Sequence, residues 1–176
     1  MNARDDFADL PQDAAGRCGF YAALANAFTY EGAIDGPLKI NGYAFNEAFD
    51  PSVNERACSL REGTYSGGDQ SALFEELMRF YGFFGLGRKE QGEMPDHISI
   101  ELEFMHFLNY QESLSGDDPA ALASLALAQR DFIDRHLLRL VRGIQKGLHS
   151  DNPACTDLVS MTERFVSTEL ARLQAD

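Results

Sequence analysis

The chain has 176 residues, a length that supports one helical domain or two small lobes with a buried core and no covalent staples. Its 28 Asp and Glu against 15 Lys and Arg give a net charge of −13, which argues against nucleic acid or an anionic membrane as the main partner and favours a basic one. Cys18, Cys58 and Cys155 are widely spaced and form no CxxC or zinc pattern, so they read as reduced thiols in the cytoplasm rather than a disulfide framework.

The opening, residues 1–13, is polar and acidic and does not read as a signal peptide. No apolar run approaches the roughly 20 residues that span a bilayer. From Ala14 to about Phe28 the period is helical, with Cys18, Tyr21, Ala25 and Phe28 on one stripe. Glu31 to Pro37, with two Gly and a Pro, reads as a loop. Leu38 to Phe49 holds a second, short helix. Asp50 to Gly68 has no period. A loop that long inside a compact domain is either functional or a surface connection with Tyr65 packed as a lid. Asp69 or Ser71 can cap the next helix, which runs to Phe84 with Leu73, Leu77, Phe80 and Phe84 as a core stripe. Gly85-Leu86-Gly87 follows a helix rather than a strand and is no dinucleotide fingerprint.

The central stretch is Glu93-Met94-Pro95-Asp96-His97, running into Ile98 to Leu108. Pro95 and Asp96 suit a helix start, with Asp96 or a neighbour as cap. The helix that follows is apolar almost all round, and such a helix lies centrally in its domain. His97 and Glu101, four apart, share a face that falls inside the apolar arc. An unpaired buried carboxylate is costly. Either His97 and Glu101 form a structural pair beside an Asp96 cap, or a polar site stands at the loop–helix junction. After a turn at Ser115 to Pro119, one long helix runs to about Leu148 and a last one from Ala154 to Leu173. No segment reads as a strand.

Pro95-Asp96-His97 followed by Glu101-Leu102-Glu103-Phe104-Met105 resembles the PDH-x-x-x-E-L-x-F-M signature of the TorD/DmsD/NarJ family. Members are all-helical cytoplasmic chaperones for molybdenum enzymes. Arg17 to Phe28 is similar to the family's R-x-x-x-Y-x-x-L-x-x-x-F opening helix. Phe45 to Phe49 resembles its aromatic-x-x-L-F element, with Ala48 where Leu is usual. Leu60 to Tyr65 resembles its Y-E-S-x-Y segment, keeping Glu62 and Tyr65, and Phe132 to Leu137 its F-x-x-x-H-L element.

The resemblance implies an all-α, two-lobed helical bundle, with lobes at 1–92 and 93–176. It implies a cytoplasmic chaperone, not an enzyme. Its partners would be the apo catalytic subunit of a dimethyl-sulfoxide-reductase-superfamily molybdoenzyme and that subunit's twin-arginine leader. The action would be assisting cofactor insertion before export, with no cofactor of its own. The substitution pattern looks closest to the branch serving periplasmic dehydrogenases and reductases for dimethyl sulfide, ethylbenzene or selenate. Client-binding candidates are Glu62, Tyr65, Pro95, Asp96, His97, Glu101, Glu103 and Phe104. Glu62, Asp96, Glu101 and Glu103 would accept the leader's arginines, and an apolar groove near Tyr65 and Phe104 would take its apolar stretch. The competing reading is a metal-dependent helical oxidoreductase. Glu103-x-x-His106 has di-iron ligand spacing, but a second E-x-x-H is missing.

Overall fold

The computed structural model describes residues 9–175; residues 1–8 of the acidic lead-in, and residue 176, lie outside the described residues. Among the described residues eight α-helices follow one another: α1 Ala14–Ala27, α2 Tyr30–Asp35, α3 Gly42–Phe49, α4 Gln70–Phe83, α5 Ile98–Leu114, α6 Pro119–Phe132, α7 Leu138–Gly147 and α8 Pro153–Ala175. A 3-10 turn at Glu62–Thr64 stands in the long connection between α3 and α4. Among the described residues no strand forms, and one antiparallel bridge joins Arg61 to His97. The fold is an all-α bundle, as the periodicity predicts.

Side-chain caps fix most helix starts. Asp13, Asp69 and Asp118 accept from Gly16, Ser71 and Ala120 backbone N–H groups, and Pro119 takes the first position of α6. Two starts differ from expectation. The second helix begins at Gly42 behind an Asn41 cap, not at Leu38. The predicted loop at 31–37 is mostly α2, capped by Thr29. Its glycine is not a breaker: a Cβ on Gly32 would collide with the Asn26 carbonyl, so glycine permits close approach to the end of α1.

Helix α5 is the axis of the molecule. Ile98, Leu102, Met105 and Leu108 are fully buried, each contributing about 1.5–3 kcal/mol by leaving water. α1 lies along α5 more extensively than any other pair of helices meets. At the far end of α5, Arg17 is buried. Its Nε donates to Asn109 at 3.0 Å, its Nη2 to Glu112 at 2.7 Å, and Glu169 of α8 stands 3.3 Å from Nε. Gln129 of α6 donates to the other Glu112 oxygen. Helices α1, α5 and α8 thus meet on one satisfied guanidinium, with α6 joined through Glu112, and Glu169 is held by Arg172 as well.

The expected single helix from 119 to 148 is continuous in direction but interrupted. Ile133–Leu137 is a π-helical stretch between α6 and α7. Such wide turns recur at functional positions. His136 lies within it, buried, and faces the other end of α5.

Candidate functional site

The junction before α5 is built by two chain segments. Ile98 N–H donates to Leu60 O and Glu62 N–H to Asp96 O, both at 2.9 Å, so 60–62 and 96–98 run antiparallel side by side. Asp96 is fully buried. It accepts from Arg61 Nε at 2.9 Å and from the Gly63 backbone N–H at 3.0 Å. Asp96 is therefore not the helix cap. His97 is: its Nδ1 accepts from Ser99 N–H at 3.2 Å and lies 2.8 Å from Ser99 Oγ. Burial holds the His97 imidazole below its ordinary pKa, which suits a neutral ring with an acceptor nitrogen.

Nor do His97 and Glu101 pair. Glu101 is fully buried and turns to Glu62 from the 3-10 turn, itself fully buried. His136 Nδ1 stands 3.1 Å from Glu62 Oε2, and Arg139 Nη2 donates to Oε1 at 2.7 Å. Burial opposes charge on Glu62, but the His136 and Arg139 hydrogen bonds hold its pKa below the ordinary value. Burial, then the charge of Glu62 and a hydrogen bond with it, push Glu101 well above the carboxylate range. Among the described residues no donor reaches either Glu101 oxygen. The consistent arrangement is a protonated Glu101 donating to Glu62. On the other side of His136, Nε2 lies 3.3 Å from Glu76, which also pairs with Arg135. One proton-bearing network thus ties α4, α5, α7 and the long connection together.

Tyr65 stands elsewhere. Its ring covers Gly143 of α7, where a Cβ would meet ring atoms at 2.8 Å, and its hydroxyl donates to Ser59 O at 2.7 Å. It lines a surface depression with Arg139, Arg142 and Lys146.

A groove of about 740 Å3 opens between α1, α4, α5 and the glycine-rich loop at 85–95. Its walls are largely apolar: Ala22 and Ala25 of α1, Leu86 of the loop, and Ile100, Phe104 and Phe107 of α5. Glu93 and Glu103 stand at it, both exposed, and Tyr81 and Pro95 form part of its floor, joined by a 2.8 Å hydrogen bond from the Tyr81 hydroxyl to Pro95 O. Phe104 is mostly core, edge-on to Tyr81 and Phe132 with ring centroids 5.0 and 4.7 Å apart.

The eight candidates thus divide. Pro95, Glu103 and Phe104 line the groove. Glu62, Asp96 and Glu101 belong to the buried network behind it, His97 caps α5, and Tyr65 lies on α7. A groove shared by Tyr65 and Phe104 does not form. His136 and Arg139 complete the network and Tyr81 the groove floor, and none of the three was among the candidates. The only signal was the pairing of the Phe132–His136 element with Glu62, which is a contact in space. The metal alternative lacks a ligand set. His106 Nδ1 lies 2.9 Å from Cys18 O, and among the described residues no group of three His, Cys, Asp or Glu is placed to hold an ion.

Residues 14–143 match the family described as nitrate reductase delta subunit. The chain belongs to that family, of the NarJ/TorD type, the chaperones of molybdoenzyme maturation. It is similar to the perchlorate reductase assembly chaperone protein of Dechloromonas aromatica, 33% identical over 73% of this chain and 59% of that relative. It is also similar to the selenate reductase assembly chaperone protein of Thauera selenatis, 28% identical over 87% of both chains. The chlorate reductase assembly chaperone protein of Ideonella dechloratans is 30% identical over 59% of this chain and 54% of its own length. The chain thus spans less than two thirds of the first and third of these relatives.

Proposed function

We propose that the chain is a cytoplasmic chaperone that binds the apo catalytic subunit of a molybdopterin oxidoreductase together with its twin-arginine leader. It shields that subunit while the cofactor is inserted and releases it for export. It carries out no covalent chemistry. The relatives' names support assembly of a reductase, and among the described residues no helix is long and apolar enough to cross a membrane.

The observation that carries the leader assignment is the groove. A twin-arginine leader joins a basic segment to an apolar one. The groove offers aromatic and aliphatic walls with Glu93 and Glu103 beside them. Its volume lies in the range of clefts that bury ligand side chains. An amphipathic or apolar helix laid in such a groove is a recurrent recognition mode. The charge of −13 draws a basic peptide toward it, an attraction that salt screens over about 8–10 Å.

The test is calorimetric titration of a synthetic peptide bearing two consecutive arginines and an apolar stretch of about twelve residues. The reading expects one peptide per chain, loss of binding when the apolar stretch is deleted, and weaker binding when both arginines become lysines. No binding at low salt contradicts it.

A further inference from the structure

The loop between α4 and α5 brings two cations into the groove. Arg88 and Lys89 line it beside Leu86, facing the same space as Glu93 and Glu103. Among the described residues none of these four forms an ion pair; Arg88 Nη2 donates to the Met94 sulfur at 3.1 Å. The titratable lining is therefore two cations and two carboxylates, besides His106 and Tyr81, so a groove in a strongly acidic chain is left with no net carboxylate excess.

The loop is punctuated by glycine. Gly85 adopts a positive φ of 77°, and Gly87 and Gly92 follow. Its inward backbone anchor is Leu86 N–H donating to Tyr81 O, and Leu86 packs half-buried against the core. Leu86-Gly87-Arg88-Lys89 thus presents an apolar anchor joined to two consecutive basic residues. That is the chemical character of the ligand proposed for the groove.

Resting on that reading, we infer that the segment Leu86–Lys89 is a resident competitor of the leader, whose Arg88-Lys89 pair sets how basic a peptide must be to enter. Every basic peptide meets repulsion from Arg88 and Lys89, and one with a single arginine recovers attraction from only one of Glu93 and Glu103. A peptide with two adjacent arginines supplies both charges, places them on the two carboxylates, and displaces the loop. Arg88 and Lys89 are exposed and bear on no core contact, so their replacement leaves the fold intact.

The experiment compares the whole chain with its Arg88→Gln/Lys89→Gln double variant, titrated with the same two-arginine peptide and with a version in which one arginine is glutamine. The inference expects the double variant to bind both peptides roughly three- to tenfold tighter at low salt, mainly through a faster on-rate. It expects the gain to vanish near 1 M salt, where the screening length is about 3 Å. The gain should be larger for the two-arginine peptide than for the one-arginine version, since attraction to the uncovered carboxylates scales with peptide charge. Glu93→Gln/Glu103→Gln should shift affinity the other way. Unchanged or weaker binding by the Arg88/Lys89 variant, with the wild type binding normally, overturns the competitor while leaving the groove assignment standing. No binding by either protein at any salt overturns the groove assignment, and the competitor with it.

Discussion

Asp96 and Arg61 form an ion pair, Oδ1 to Nε at 2.9 Å, in which the carboxylate is fully buried and the guanidinium about one-third exposed. The second Asp96 oxygen holds the Gly63 N–H. This single side chain fastens the long connection to the start of α5, beside the Arg61–His97 bridge.

Asp96→Ala should therefore lower stability by about 2 kcal/mol, the scale of hydrogen bonds to a buried charged group. The exposed part of Arg61 can return to water, which limits the loss. Asp96→Asn keeps an acceptor and should lose less. Urea unfolding of the three proteins checks this. The account expects the folded fraction of each to bind leader peptide equally, because Asp96 does not line the groove.

The Glu62–Glu101 pair makes stability depend on pH in two directions. Glu101 has a raised pKa in the folded chain, so its contribution is full below the ordinary value of 4.5 and is lost as pH rises toward the folded value. Glu62 has a lowered pKa, so its contribution is present above the ordinary carboxylate range and is lost as pH falls through the folded value. Glu101→Gln keeps a donor for Glu62 without a titrating proton. Its melting temperature should rise relative to wild type as pH goes from about 5.5 to about 8. A gap that does not change with pH would mean that Glu101 is ionised in the fold.

Tyr65 and Gly143 give a paired prediction. Gly143→Ala drives a methyl into the Tyr65 ring and should cost about 1–3 kcal/mol, as overpacking does. Gly147→Ala, whose Cβ would stand 3.3 Å from Cys58 Sγ and 3.5 Å from the Tyr65 hydroxyl, needs only a small adjustment. There the gain in helix propensity, up to about 1 kcal/mol, should offset the crowding. Thermal melts of the two variants separate these outcomes.

Arg17 anchors the opposite end of α5. Arg17→Ala should cost about 1.5–3 kcal/mol, the scale of hydrogen bonds to a charged group, because Glu112 loses its cation while Glu169 keeps Arg172. Circular dichroism during chemical unfolding measures it directly.

What was legible in the sequence follows from where each signal resides. The apolar arc of α5 is local, and so were its position and its burial. Glu101 stood out as a carboxylate on an apolar face, but its partner Glu62 belongs to a distant segment with no period of its own. The pattern Glu62, His136, Arg139 becomes a site only when α7 packs against the long connection. The α2 helix was hidden because Gly32 serves close packing rather than a turn, and composition alone does not separate the two uses. The groove could be anticipated from Phe104 but not placed, since Tyr65 is drawn away to the glycine face of α7. The loop that closes the groove reads as punctuation until Arg88 and Lys89 are seen beside Glu93 and Glu103.

The central claim is that the groove between α1, α4 and α5 receives the client's leader. Ala22 is a half-buried small residue in its wall, so Ala22→Phe fills the space without adding charge. The most direct measurement is calorimetric titration of the two-arginine leader peptide into wild type and Ala22→Phe, each shown by its melt to be folded. The account predicts one peptide bound per wild-type chain and at least tenfold weaker binding, about 1.4 kcal/mol, to the variant. Equal affinity for the two proteins would contradict it and place leader recognition on another surface.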